Sequence, residues 1–357
     1  MVGSHLLDVY GEHDQMSGTD HRLFNVEIPT VPRRAISTYV VTGCAGFIGS
    51  HLCEALLDRG DDVIGIDVFT DYYPRELKEA NLEPLIARPG FAFIEEDLVK
   101  APIEAVATGA HGIFHLAAQP GVRGSWGATF EVYVRDNLLA TQRVFEAATG
   151  AGVRVVFASS SSIYGNAEAY PTTETTRPSP VSPYGVTKLC CEQLANAYAQ
   201  SKDLDHVALR YFTVYGPRQR PDMAICRIAT ALADGGGFEV YGTGEQSRDV
   251  TYVEDAVRAT VAVMEGAPAG AVYNVGGGSE TTLREIIELA EELSGRTLDA
   301  RYGSTAVGDV RRTAADTRRI FADVGWEPTT PLEDGIASQL AWVMGRDVSS
   351  SAPVYSG

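Results

Sequence analysis

Four serines, Ser159 to Ser162, follow an apolar run in FASSSSIYG (157–165), and further along YGVTK sets Tyr184 and Lys188 four residues apart. On a helix, residues four apart share a face, so the ammonium would sit beside the phenol. A nearby cation favours the phenolate, which can take a proton from a hydroxyl. The serines at the end of the preceding strand add neutral hydroxyls that can donate or accept hydrogen bonds. Tyr184 and Lys188 therefore suit general-base chemistry at an alcohol. Taken alone, the Tyr-x-x-x-Lys spacing would equally describe an exposed helix pair.

A redox partner for that alcohol is suggested by VVTGCAGFIGSH, where Gly43, Gly46 and Gly49 separate a β-rich run from a helical one. The first glycine permits a tight turn, the second close approach of a pyrophosphate, and the third close helix packing. Phe47 and Ile48 open the helix, whose free amides are an anion site. Asp67 ends the next strand 18 residues after Gly49, where a carboxylate holds adenosine ribose hydroxyls and repels a 2′-phosphate. Val68, Phe69 and Thr70 supply no base, so NAD is favoured over NADP. Asp97 and Leu98 fall at the end of a third strand, against the adenine or in a plain surface turn. Cys44, inside the glycine loop, reads as a small filler.

The elements that must carry these groups alternate. Strands are expected at 91–98, 112–118, 154–160 and 205–212, with helices at 130–152 and 182–201, a pattern that predicts an α/β fold: a doubly wound parallel sheet of Rossmann type. Beyond residue 213 prolines and glycines become frequent, with helices expected at 223–234, 254–265 and 282–294 and a strand at AVYNVGG. The expected organisation is a flexible extension (1–35), an NAD-binding domain (36–216), a smaller mixed α/β substrate-binding domain (217–345) with segments returning to the first, and a loose tail (346–357).

Composition narrows the partners. The 357 residues are 45% hydrophobic, enough for a sizeable core, and the formal charge of −18 with scattered basic residues argues against nucleic acid. Five cysteines, two of them adjacent, make neither a disulfide framework nor a metal spacing. A reducing cytoplasmic setting without a metal centre is expected. No apolar run approaches membrane-span length.

With these motifs in order, residues 38 to about 345 resemble the extended short-chain dehydrogenase/reductase family, in its nucleotide-sugar epimerase branch. The resemblance implies that Tyr184 removes the sugar 4-hydroxyl proton, that Ser160 polarises that oxygen, and that Lys188 also reaches the nicotinamide ribose. HLAAQ, with Ala117, resembles the strand end along the cofactor, and Asn137 the family's structural asparagine. Arg248, in VYGTGEQSRDVTYVEDA, matches a diphosphate contact, and Asp309 a nucleotide-ribose contact. Residues 130–149 and 182–201 carry apolar groups on more than one face, and the resemblance points to a homodimer through them.

The serine run also sorts reactions within the family. Related 4,6-dehydratases look like Thr-Asp-Glu at positions 160–162, and UDP-glucuronate decarboxylases carry glutamate at 162. Here hydroxyls stand instead, which leaves redox at C4 and return of the hydride to the opposite face. AAQPGVRGS is similar to the matching segment of UDP-glucuronate 4-epimerases, although Gly124 stands where a bulky tyrosine is common and Trp126 follows it. A UDP-hexuronate is therefore the expected substrate, its carboxylate met by Ser161, Ser162, Thr213 and Arg220, with Arg123 a rival that can instead face the pyrophosphate. A neutral UDP-hexose epimerase and a nucleotide-sugar 4-reductase are the alternatives.

Overall fold

Short runs rich in Val, Ile and Phe, apolar on both faces, can only be satisfied as buried strands. The computed structural model describes residues 36–278, 280–304 and 310–345. The expected extension, the tail and Asp309 lie outside the described residues. In chain order the strands are β1 (Thr38–Thr42), β2 (Asp62–Asp67), β3 (Phe91–Glu95), β4 (Gly112–His115), β5 (Arg154–Ser160) and β6 (His206–Tyr211). They continue with β7 (Thr213–Tyr215), β8 (Gly237–Tyr241), β9 (Ser247–Tyr252), β10 (Ala271–Val275), β11 (Glu280–Thr282) and β12 (Asp299–Gly303).

Seven strands form one parallel sheet in the order β10-β6-β5-β4-β1-β2-β3. The order reverses between β1 and β4, which opens the crevice where such sheets bind ligands. Alternate residues feed two cores. Val41, Phe114, Val156 and Leu209 pack with the helices Phe47–Asp58 and Val253–Gly266. Val40, Ile113, Val155 and Phe157 pack on the opposite face with Val144, Phe145, Cys191 and Ala195 of the helices Ala140–Ala151 and Pro183–Lys202. This is the doubly wound Rossmann arrangement.

From residue 213 onward the chain builds two small sheets, β11-β9-β7 and β12-β8, and also returns to the large one. AVYNVGG forms β10, which pairs with β6 from Ala271↔Val207 to Val275↔Tyr211. Helices lie at Ala224–Asp234, Val253–Gly266 and Leu283–Ser294, close to their expected spans.

Two strands end earlier than expected. β3 stops at Glu95, and Asp97 turns the chain by accepting the Val99 amide at 3.0 Å. β4 stops at His115 because Thr42 Oγ1 captures the Ala117 amide at 3.2 Å. The helix Arg75–Ile86 was not among the expected elements. Pro74 is its N-cap and Pro84 falls in its last turn.

Candidate functional site

Gly43 has φ +74°, and a Cβ there would lie 2.8 Å from the Ala117 amide nitrogen. A Cβ on Gly49 would lie 2.0 Å from the Gly43 carbonyl oxygen. Only glycine therefore allows this loop, the end of β4 and the helix Phe47–Asp58 to meet. No side chain caps that helix start, and Gly46, Phe47 and Ile48 line the cleft. First-turn amides so placed suit a pyrophosphate.

At the end of β2, Asp67 is held by the amides of Ala45 (3.1 Å) and Phe69 (3.0 Å). Burial raises its carboxyl above the usual range, and these amides and the Lys78 ammonium oppose that rise. Lys78, a buried cation not anticipated from the sequence, donates to the Thr70 carbonyl at 2.5 Å and lies over the Tyr73 ring. Asp97 pairs with Arg135, and Leu98 is buried in the core beside it. The residues present fit NAD: a glycine cradle for the diphosphate and a carboxylate at the adenosine ribose position.

One cleft of about 660 Å³ joins this cradle to the other sequence-predicted residues. Ala117, Arg123, Ser160, Ser161, Ser162, Tyr184, Lys188, Thr213, Arg220 and Arg248 all line it. Ser160 closes β5, and its Oγ accepts the Ser162 amide at 3.1 Å. That bond leaves the hydroxyl proton to be donated elsewhere. Opposite lies the start of the helix Pro183–Lys202, capped by Ser182 Oγ accepting the Gly185 amide at 3.1 Å. A Cβ on Gly185 would stand 2.6 Å from the Ser162 carbonyl oxygen, so a glycine lets Tyr184 approach the serines.

Lys188, 5% exposed, donates one proton to the Ala158 carbonyl at 2.9 Å, and its Nζ is 6.0 Å from the centre of the Tyr184 ring. Two ammonium protons remain to be donated to other acceptors. Nearby His115 is wedged between Thr42 (2.8 Å) and Thr141 (2.9 Å). Burial, helped by the Lys188 charge, pushes its imidazole down to about 3, so it stays neutral. Asn137 ties the loop after β4 to the catalytic-helix candidate: its Oδ1 accepts the Gln119 amide at 2.7 Å and its Nδ2 donates to Thr187 at 3.0 Å. It sits in a π turn, Val134–Leu139, that interrupts the expected 130–152 helix.

Among the residues expected to meet substrate, Arg220 is engaged by Asp222 through Nε (3.0 Å) and Nη2 (3.2 Å), and Tyr72 donates to the same carboxylate at 3.1 Å. Arg123 stacks its guanidinium 4.1 Å over the Tyr241 ring. Arg248 lies on β9 opposite Thr281 of β11. Asp222, Tyr72 and Tyr241 are cleft residues that sequence reasoning missed. Only Asp222, two residues after Arg220, offered a signal. Thus the site brings together a phenol, an ammonium and a serine hydroxyl beside a dinucleotide cradle, with a run of neutral hydroxyls where an acid or base could have stood.

The model of the NAD dependent epimerase/dehydratase family matches residues 39–276. The uncharacterized UDP-glucose epimerase YtcB of Bacillus subtilis (strain 168) is 42% identical, over 85% of this chain and 97% of that one. A UDP-glucuronate 4-epimerase of Thermodesulfobacterium geofontis (strain OPF15) is 36% identical, over 85% of this chain and 95% of its own. Among solved structures, UDP-glucuronic acid 4-epimerase from Bacillus cereus, in complex with UDP-glucuronic acid and NAD, superposes with a TM-score of 0.84 at 38% identity, covering 86% of this chain and 99% of that one.

Proposed function

The chain belongs to the NAD-dependent epimerase/dehydratase family, and on that premise we propose that it inverts C4 of UDP-glucuronic acid to give UDP-galacturonic acid. The observation that carries this reading is the hydroxyl run Ser160–Ser162, which shares its cleft with Thr213 and Arg220. Tyr184 takes the 4-hydroxyl proton, Ser160 donates to the same oxygen, and Lys188 stabilises the phenolate. NAD held on the Gly43–Gly49 loop and Asp67 would supply the hydride acceptor and donor for sugar C4, so no external reductant would be consumed. The 4-keto sugar turns about its link to the diphosphate, which Arg248 holds, and presents its other face.

The hydroxyls then have two roles. They provide no acid to expel a 6-hydroxyl and no base for C5, so elimination is suppressed. With Arg220 they also fix a C6 carboxylate through charge-assisted bonds. A carboxylate held out of line with the developing enolate is retained, and the product remains a hexuronate. UDP-glucose is the second reading. It is favoured by the 42% identical relative and by Asp222, which neutralises Arg220 in this structure.

The helix faces around Trp126, Phe130, Leu139, Val181 and Val186 expose large apolar side chains, which supports a homodimer through them. Among the described residues no helix is long and apolar enough to cross a membrane.

The test is incubation of purified protein with UDP-glucuronic acid and, separately, UDP-glucose, without added cofactor, followed by chromatography. UDP-galacturonic acid formed from the first alone supports the reading. Conversion of UDP-glucose alone, or a pentose product, overturns it.

A further inference from the structure

Below the cleft floor lies an ion pair that the mechanism above does not use. Glu192 and Arg210 are 4% and 5% exposed. Arg210 meets Glu192 two-pronged, Nε to Oε1 at 3.0 Å and Nη2 to Oε2 at 2.7 Å. Such a pair loses so much hydration that apolar replacements often match its stability, so burial of these charges calls for a reason other than stability.

Its surroundings supply one. Tyr184, Lys188 and Glu192 follow at four-residue steps on one helix, hence on one face. Lys188 donates to the carbonyl of Ala158, and the next residue, Ser159, donates its hydroxyl to Glu192. The residue after that is Ser160. Arg210 is the β6 partner of Ser159 in the sheet register, and its Nη1 donates to the Tyr164 hydroxyl (2.8 Å) and the Glu174 carbonyl (2.9 Å). Tyr164 in turn donates to Asn274 Oδ1 at 2.7 Å, on β10. The serine turn 160–163 is thus clamped on both sides, to the helix before it and to the sheet behind it.

We propose that the Glu192–Arg210 pair, gripping β5 through Ser159, is a positioning device that sets Ser160 against Tyr184 and keeps the charge beneath Lys188 balanced. The inference rests on Tyr184 and Lys188 being the acid–base pair. The charged and titratable groups around Tyr184 include Lys188 on its own helix, the Tyr133 ring at 6.3 Å, and Arg220 with its Asp222 partner. Around Lys188 stand His115 and Cys191. Neither His115, held neutral, nor a buried thiol can take over the role of Glu192 as a nearby anion.

Removing one member has a signed consequence. Glu192→Gln removes a negative charge about 12 Å along the helix from Tyr184 and leaves the Arg210 charge unbalanced beside it. At an effective dielectric near 20, a unit charge at that distance shifts a titration by roughly one pH unit, here towards easier phenolate formation. The double variant E192Q/R210M removes both charges and restores the balance.

The experiment is a pH titration of near-ultraviolet phenolate absorbance on full-length protein, each form measured against its own Tyr184→Phe partner so that only Tyr184 is read. The titration needs no substrate, so it is independent of whether the sugar assignment is right. The expected result is a downward shift of roughly half to one pH unit in E192Q and a return to the unsubstituted curve in E192Q/R210M. Coincident curves in all three, or equal shifts in both variants, overturn the proposal. Ser159→Ala keeps both charges and most of the packing. It is expected to leave the phenol titration in place while lowering kcat about tenfold at unchanged KM, and an unchanged kcat would overturn the positional half.

Discussion

Gly185→Ala isolates the distance between Tyr184 and the serine turn. Its backbone is outside the positive-φ region, so alanine meets no conformational strain there. The obstacle is steric: the new Cβ would stand 2.6 Å from the Ser162 carbonyl oxygen and 3.0 Å from Pro180 Cβ. Ordinary contact begins near 3.4 Å, so the helix start must withdraw by about 0.8 Å, and Tyr184 with it. A misplacement of about 1 Å at a reacting centre costs on the order of 10²-fold in rate, or about 3 kcal/mol in the barrier. The proposed NAD cradle and the proposed nucleotide contact, Arg248 on β9, lie elsewhere, so KM and bound NAD should hold. Turnover would be followed by chromatography of the sugar nucleotides, with Gly150→Ala as control, since a Cβ there meets nothing within 4 Å. A Gly185→Ala enzyme with kcat within about threefold of the parent would refute the claim that this approach sets catalytic geometry.

Gly49→Ala places a Cβ 2.0 Å from the Gly43 carbonyl oxygen and should yield protein purified without NAD, seen by absorbance after acid release; normal NAD content would count against the cradle. His115 is held far below its ordinary value by burial, so its contribution to stability is complete above the unfolded value near 6.5 and is lost as pH falls towards about 3. Between pH 7 and pH 5 the parent should therefore lose about 2 kcal/mol more than His115→Gln in denaturant titrations, and parallel losses would refute a buried neutral imidazole. Val186→Glu puts a charge on the exposed apolar helix face and should give a monomer by sedimentation; an unchanged association state would move the subunit contact elsewhere.

Much of the dinucleotide half was legible because its signals are local. Glycines at 43, 46 and 49, the Asp67 strand end and the Tyr184/Lys188 pair each depend on neighbours a few residues away, and the parallel sheet follows from strands apolar on both faces. The strand ends were harder, since Thr42 reaches across to Ala117 and decides where β4 stops. The helix after Pro74 was not anticipated; it starts at one proline and carries another, Pro84, in its last turn. Tyr241 under Arg123 and Glu192 against Arg210 depend on which segments meet in space, whereas Asp222 stands only two residues from Arg220. Glu192 was four residues from Lys188 in plain view, but its meaning lay in Arg210 and Ser159 on neighbouring strands.

The most direct test of the proposed reaction follows one hydrogen. UDP-glucuronic acid deuterated at C4 would be incubated with purified protein, no cofactor added, and the products resolved by chromatography and mass spectrometry. A hydride that leaves C4 and returns to the same carbon gives UDP-galacturonic acid with the deuterium retained at C4. Loss of the label, or appearance of a decarboxylated pentose in its place, would contradict epimerisation by return of the hydride to C4.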